Sequence, residues 1–322
     1  MAYKEKKNSD KLREEKPITG RILSCVGGIY SVISDNTIYN CSAKGSFRHN
    51  DIVPVAGDTV SFIPGKDRGF IISVNDRKNL LPRPPVANID ILFIVCAAAS
   101  PEPSKLSIDK LSIIAYHHDI EPILIINKAE LDKNSAEDLK NTYESCGHKV
   151  FSFSLEDHSK APSVILPEAS GKICAFAGLS GVGKTTLMNS IFGNDFLKTG
   201  ELSLRLRRGK NTTRDSVLYK IPKSEYIDDT AETFLADTPG FSLLDFEKFF
   251  LISKEELPYA FMEFNDHIGS CKYTKCTHTV EEGCAVIQAV NDGLIPRSRH
   301  ESYVYLFNCV KNHNKWDKKF GY

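Results

Sequence analysis

Eight consecutive residues, Gly178-Leu179-Ser180-Gly181-Val182-Gly183-Lys184-Thr185, have the composition of a loop that wraps a polyphosphate, and Thr186 extends it. Glycines let successive backbone N–H groups curl toward phosphate oxygens, and a helix beginning there points its positive end at the same anion. Lys184 is spaced to reach the β and γ phosphates, and the Thr185 hydroxyl to ligate Mg²⁺. Downstream, Asp237-Thr238-Pro239-Gly240 offers a carboxylate to hold Mg²⁺ through water and the Gly240 amide to sense a γ-phosphate. Between them lies Asn211-Thr212-Thr213, where a mobile switch would give a threonine hydroxyl to the metal; Thr213 is the expected donor.

A third motif, Asn127-Lys128-Ala129-Glu130, precedes both. In guanine readers its acidic residue accepts two hydrogen bonds from the base edge, a pattern adenine cannot supply. Glu130 is one methylene longer than the usual Asp, so the loop must back off slightly. Ser154 is a candidate for a further base contact. In ordinary GTPases the base reader follows the other two motifs. This order therefore predicts a nucleotide-binding α/β domain whose strands are joined in circularly permuted sequence. Phe241 stands where many GTPases carry a water-orienting Gln, and a phenyl ring cannot hold the nucleophile. Slow intrinsic hydrolysis, accelerated by a partner, is the expectation.

Cys271, Cys276, His278 and Cys284 form a separate chemistry: Cys-x4-Cys-x-His-x5-Cys. Three thiolates and an imidazole fill a tetrahedral Zn²⁺ shell with no open position, which marks a structural ion. Three buried cysteines beside a chance histidine is the alternative. The other six cysteines are scattered, as small core residues are.

The elements that must position these groups follow from periodicity. Residues 1–16 are charged and read as a flexible tail. Short β-prone runs between Ile18 and Val74, broken by glycines, predict an OB-type barrel over 17–80. Pro82, Pro84 and Pro85 mark a stiff linker at 81–86. Over 87–245, apolar runs ending at Ala97, Lys128, Ser154 and Gly178 alternate with helical stretches, as buried parallel strands do; ligands collect at their carboxyl ends. Residues 246–322 read as a helical zinc-binding domain. Ser298 and Glu301 suggest a capping box for a last helix with Tyr303, Leu306, Phe307 and Val310 on one face.

The chain of 322 residues balances 41 Lys plus Arg against 41 Asp plus Glu, so no global field draws it to nucleic acid or membrane. Its longest apolar run is too short to span a bilayer, and its first residues are not built like a signal peptide. Nine cysteines, an odd number, favour reduced thiols. A cytoplasmic monomer is expected. Local patches remain: Arg205, Arg207, Arg208, Lys210 and Arg214 beside the threonine switch, and Lys311, Lys315, Lys318 and Lys319 around Trp316 and Phe320. The first could meet RNA phosphates when GTP orders the loop; a solvated surface is the ordinary reading of the second.

With Tyr39 to Gly45, Val55 to Asp58, Arg83 to Asn88, the three nucleotide motifs, Cys271 to Cys284 and the stretch to Ile295, the chain resembles the ribosome small-subunit-dependent GTPase A family. The resemblance implies an OB domain, a permuted GTPase core and a C-terminal zinc domain. It also implies GTP hydrolysis to GDP stimulated by the small ribosomal subunit, and contact with rRNA late in assembly. The family usually reads His-Thr-Thr-Thr in its first switch where this chain has Asn211-Thr212-Thr213-Arg214, and Asn cannot take a proton from water. No general base is assigned. An RNA-binding adaptor that holds GTP without useful hydrolysis, and an NTPase of relaxed specificity, are the rival readings.

Overall fold

The computed structural model describes residues 16–43, 52–82, 84–154, 156–192, 216–228, 230, 232–237 and 252–312. They fall into two compact units. One takes the chain through Asp90, with Pro167–Ala175 and the described residues between Phe192 and Phe241; the other takes Ile91–Leu166, Phe176–Ile191 and the described residues from Ile252 on.

In the first unit, β1 (Ile18–Val26), β2 (Ile29–Ser34), β3 (Thr37–Ala43), β4 (Thr59–Ile63) and β5 (Gly69–Val74) close into a barrel in the order β1-β2-β3-β5-β4. Alternation along each strand turns Ile22, Val32, Phe62 and Ile71 inward, each 0% exposed. Closure leaves the barrel without an open edge, as the sequence pattern predicts. The proline-rich stretch departs from the expected linker. β6 (Leu80–Pro82) and β7 (Pro85–Ala87) form a hairpin in which Leu81 opposes Val86 and Pro82 opposes Pro85. The prolines sit at the end of the ladder, where a missing amide donor is tolerated. Side chains then fix the exit: the Asn79 amide donates to Ile89 O (2.7 Å) and accepts from Ile89 N (2.9 Å), while Asn88 Oδ1 accepts from Lys78 N (2.8 Å).

In the second unit, β8 (Ile91–Ala97) is buried at every residue, as a strand covered on both faces must be. It runs parallel to β9 (Glu121–Asn127), which runs parallel to β10 (Lys149–Ser152). Parallel neighbours require crossovers, and helices supply them. α1 (Lys105–His117) joins β8 to β9, and its N-cap Ser104 accepts from Ser107 N. α2 (Lys133–Ser145) joins β9 to β10, capped by Asp132, which accepts from Ser135 N. α3 (Ala161–Ala169) leads to β11 (Ile173–Ala177), and α4 (Lys184–Phe192) follows the phosphate loop. Within the first unit, Ile173 to Ala175 of β11 pair parallel with β13 (Phe234–Asp237), and β12 (Val217–Lys220) pairs antiparallel with β13. Asp90, at the end of the barrel segment, receives the Ile173 amide on Oδ2 (2.9 Å) and the Lys78 ammonium on Oδ1 (2.9 Å).

The described C-terminal residues of the second unit contain 3-10 turns at Leu257–Ala260 and Met262–Phe264, then α5 (Ala285–Asn291) and α6 (Arg297–Val310). Phe261, Phe264, Val286, Tyr303 and Leu306 share one core, to which α1 adds Ile113. The expected face of α6 is confirmed: Tyr303, Leu306 and Val310 are buried and Phe307 is partly so. The expected capping box is not. Pro296 takes the N-cap without a side-chain cap bond, so Ser298 and Glu301 lie inside the helix. Among the described residues, no helix is long and apolar enough to cross a membrane.

Candidate nucleotide site and metal centre

The fold brings two distant motifs into contact within the second unit. β9 ends at Asn127, whose Nδ2 donates to Val182 O in the phosphate loop (2.9 Å, 55 residues apart). Asn127 is 1% exposed, so this bond is made away from water. The loop itself explains its glycines. Gly178 has φ +139, and a Cβ there would stand 2.1 Å from Val95 O; Gly183 has φ +100, and a Cβ there would stand 2.1 Å from Asn127 Nδ2. Both positions combine backbone that L side chains rarely adopt with approaches no side chain allows. Lys184 opens α4, and its ammonium donates to the carbonyls of Gly178 (2.8 Å) and Leu179 (2.7 Å), so it folds over the loop that a phosphate would occupy. Burial lowers its pKa. Thr185 and Thr186 are exposed at the same helix end.

The Asn127–Glu130 segment turns sharply: Lys128 has φ +57 and its ammonium donates to Ser100 O. Ala129 N donates to Phe153 O (3.1 Å), which holds the segment against the end of β10. Glu130 is exposed, as a group that meets a ligand edge must be. Ser154 lies beside this turn, with its hydroxyl donating to Asp157 Oδ2 (2.7 Å). A further link was not legible in the sequence. Ala98 N donates to Asn127 O (2.9 Å), and Ser135 Oγ donates to Ala98 O (2.9 Å), so the first turn of α2 fixes the strand end that carries Asn127. Asp237 closes β13. Thr213, Gly240, Asn211, Phe241 and the arginines of 205–214 lie outside the described residues.

The Cys/His cluster assembles as its spacing predicts. Ligand atoms of Cys271, Cys276, His278 and Cys284 all lie within 4.8 Å of one another. Cys271 Sγ is 3.9 Å from Cys284 Sγ, and His278 Nδ1 is 3.5 Å from Cys271 Sγ and 3.4 Å from Cys284 Sγ. Tetrahedral zinc with bonds of about 2.3 Å to sulfur and about 2.0 Å to nitrogen sets such edges near about 3.8 and about 3.5 Å. The donor set therefore fits a metal ion held through Nδ1. His278 has φ +58, uncommon outside glycine, which aims its ring inward. The loop backbone is held from α6: His300 Nε2 lies 2.8 Å from His278 O, and Tyr303 Oη donates to Thr277 O (2.6 Å).

A charged cluster beside this centre also escaped the sequence reading. Arg299 of α6 is 0% exposed, with Nε on Glu263 Oε1 (2.6 Å), Nη2 on Glu263 Oε2 (3.2 Å) and Nη1 on Asp109 of α1. Burial opposes its charge, but Asp109 and Glu263 outweigh that and hold its pKa well above the usual value. The missed signal was phase: Arg299 lies on the same helical stripe as Tyr303, Leu306 and Val310.

The RsgA GTPase family matches residues 74–247, and the RsgA N-terminal domain matches residues 19–71. A "Small ribosomal subunit biogenesis GTPase RsgA" from Caldanaerobacter subterraneus is 38% identical over 300 residues, covering 92% of this chain and 97% of that protein. One of the same description, RsgA 2 from Listeria monocytogenes, is also 38% identical, covering 92% and 98%. Among solved structures, YjeQ from Thermotoga maritima superposes with a TM-score of 0.76 at 29% identity, covering 93% of this chain and 100% of that one. YloQ, described as a circularly permuted GTPase, gives a TM-score of 0.73 at 30% identity, covering 93% and 96%. With Asn127 preceding the 178–186 loop in sequence yet bonded to it, this chain belongs to the RsgA family of circularly permuted, GTP-hydrolysing enzymes.

Proposed function

We propose that this GTPase acts on the small ribosomal subunit during its biogenesis, hydrolysing GTP to GDP and phosphate faster when the subunit is bound. The observation that supports the reading is the Asn127 to Val182 bond, which joins the two segments that would hold base and phosphate, in a chain whose near full-length relatives are described as small ribosomal subunit biogenesis GTPases. In this reading residues 178–186 cradle the phosphates, with Lys184 leaving its carbonyl partners for the β and γ oxygens. Asn127 and Glu130 read guanine, Lys128 and Ala129 shape their turn, and Ser154 adds a base contact. Mg²⁺ neutralises phosphate charge when bound; Thr185, Thr213 and Asp237 are the residues placed in sequence to hold it, and Gly240 to sense the γ-phosphate. Cys271, Cys276, His278 and Cys284 hold one structural zinc ion.

The division of labour follows the chain. An OB domain over 17–80 and a zinc domain over 246–322 grip rRNA, and the GTPase domain over 87–245 times their release. The protein works as a cytoplasmic monomer. Phe241 and Asn211 leave the chain without its own water-activating group, so stimulation by the subunit carries the rate; partner-supplied groups contribute about 10³ to 10⁵ in related enzymes. Phosphate release from GTP and from ATP, with and without purified small subunits, tests this. GTP turnover that rises on subunit addition is expected. Flat turnover with tight subunit binding would replace the reading with the adaptor, and equal use of ATP with the relaxed NTPase.

A further inference from the structure

The metal loop and the base-reading loop are joined inside the second unit by bonded side chains and by the two helices, α6 and α2, that carry them. At one end, His300 and Tyr303 of α6 hold the backbone carbonyls of His278 and Thr277. In the middle, Arg299 of the same helix binds Asp109 of α1 and Glu263, with its guanidinium carbon 4.8 Å from the Phe261 ring centre. Asp109 Oδ1 also accepts the hydroxyl of Tyr143 on α2 (2.7 Å). At the far end, α2 fixes Asn127 through Ser135 and Ala98.

This arrangement does more than add stability. Two carboxylates and a guanidinium out of water are a poor way to hold helices together, since apolar side chains of similar size do as well or better. What such a cluster supplies is register: desolvated charges tolerate one geometry. Arg299 and Asp109 are both 0% exposed, so neither can trade its partner for water. If the metal loop loosens, α6 loses its hold on Thr277 and His278, and the position of Arg299 is no longer fixed from that side. Asp109 and Tyr143 then shift, and α2 carries the shift along its axis to Ser135.

We propose that Arg299 is a positioning residue that couples metal occupancy of the Cys/His loop to guanine-nucleotide affinity. Zinc and GDP each tighten the other's binding, and by the same factor, because linkage is reciprocal. The proposal rests on the reading above, that Asn127 and Glu130 bind guanine and that the Cys/His set binds zinc.

The test uses the full chain at constant free Mg²⁺. A fluorescent GDP analogue is titrated with zinc bound and after removal by a chelator that takes zinc and leaves magnesium; affinity is expected to fall about tenfold. Zinc transfer to a chromophoric chelator, with and without saturating GDP, should show the same factor. Tyr143→Phe deletes the hydroxyl that bonds Asp109 Oδ1 (2.7 Å) and Lys105 O (3.1 Å), both on α1, and leaves the ring in place. It should retain zinc and lose most of the coupling, and Arg299→Lys, which keeps the charge but not the fork, should weaken GDP several-fold at full zinc content. If zinc removal unfolds the chain, the two variants decide: GDP affinity equal to that of the parent overturns the proposal. So does an unchanged affinity in zinc-free chain that stays folded by circular dichroism. A zinc-loaded parent that binds no GDP overturns the underlying guanine reading instead.

Discussion

Gly183→Ala should damage nucleotide binding far more than Gly181→Ala, although both glycines lie in the same loop with left-handed backbone. At Gly181, φ is +80 and a new Cβ would meet only Pro101 Cδ at 3.9 Å, an ordinary contact. Its cost is the left-handed conformation alone, about 1–2 kcal/mol. At Gly183, φ is +100 and the Cβ would stand 2.1 Å from Asn127 Nδ2. Asn127 is 1% exposed and cannot swing into solvent, so its amide must abandon Val182 O. Stranding a buried donor and acceptor costs about 1–3 kcal/mol beyond the conformational term. That difference corresponds to roughly 5- to 150-fold in Kd. Titration of both variants with a fluorescent GDP analogue, beside thermal melts without nucleotide, measures it. In an Asn127→Ala background the clash disappears, and Gly183→Ala should then cost no more than Gly181→Ala does. Equal losses for the two glycine variants in the parent would refute the claim that Asn127 braces the loop.

Three other outcomes follow from the geometry. Cys276→Ser should lower zinc affinity sharply and bring zinc well below the parent's content of about one ion per chain by atomic emission, since three protein donors no longer close the shell; an affinity equal to the parent's in competition with a chromophoric chelator would show that the four residues are not the ligand set. Glu130→Asp should raise the preference for GTP over ATP in paired hydrolysis assays by restoring the usual reach to the base edge, and an unchanged ratio would remove Glu130 from base reading. His148 is 6% exposed, and burial, with the Arg299 charge next, pushes its pKa down to about 3. An unfolded histidine titrates near about 6.5, so the stability gained by keeping His148 neutral is complete above that pH. It is lost as pH falls from there toward about 3, at about 1.4 kcal/mol per pH unit. Urea unfolding at neutral and mildly acidic pH should show this slope and show it reduced in His148→Gln; identical slopes would count against the assignment.

The parts legible in the sequence were those governed by a short period. Two-residue alternation matched the observed limits of β1, β3 and β5, and apolar runs located β8, β9 and β11 because strands covered on both faces need no polar side. Prolines misled: Pro82, Pro84 and Pro85 read as a stiff linker, yet Pro82 and Pro85 pair at the end of the β6–β7 hairpin. Pro296 likewise outranked the Ser298 and Glu301 pattern in starting α6. Side-chain grouping was legible where the residues lie close in sequence, as in the Cys/His loop, and the glycine spacing marked two backbone positions, Gly178 and Gly183, that leave no room for a side chain. The Asn79 clasp on Ile89, the Ser135 brace and the Arg299 cluster were not. Each rests on a residue whose type, taken alone, describes an ordinary polar surface, and only the tertiary fold supplies its partner.

The strand order has a consequence for how the polypeptide is made. β8, β9 and β10 pair with their neighbours in chain sequence and are complete at Ser152, before Gly178 has been added. Domains fold as units during synthesis, the amino-terminal one first, so what a later segment meets depends on what precedes it in the chain. The strand that ends at Asn127 therefore has both of its parallel neighbours, β8 and β10, in the polypeptide before Val182 has been added. In the unpermuted order the segment equivalent to Asn127 follows the glycine-rich loop, so the loop is synthesised before its brace.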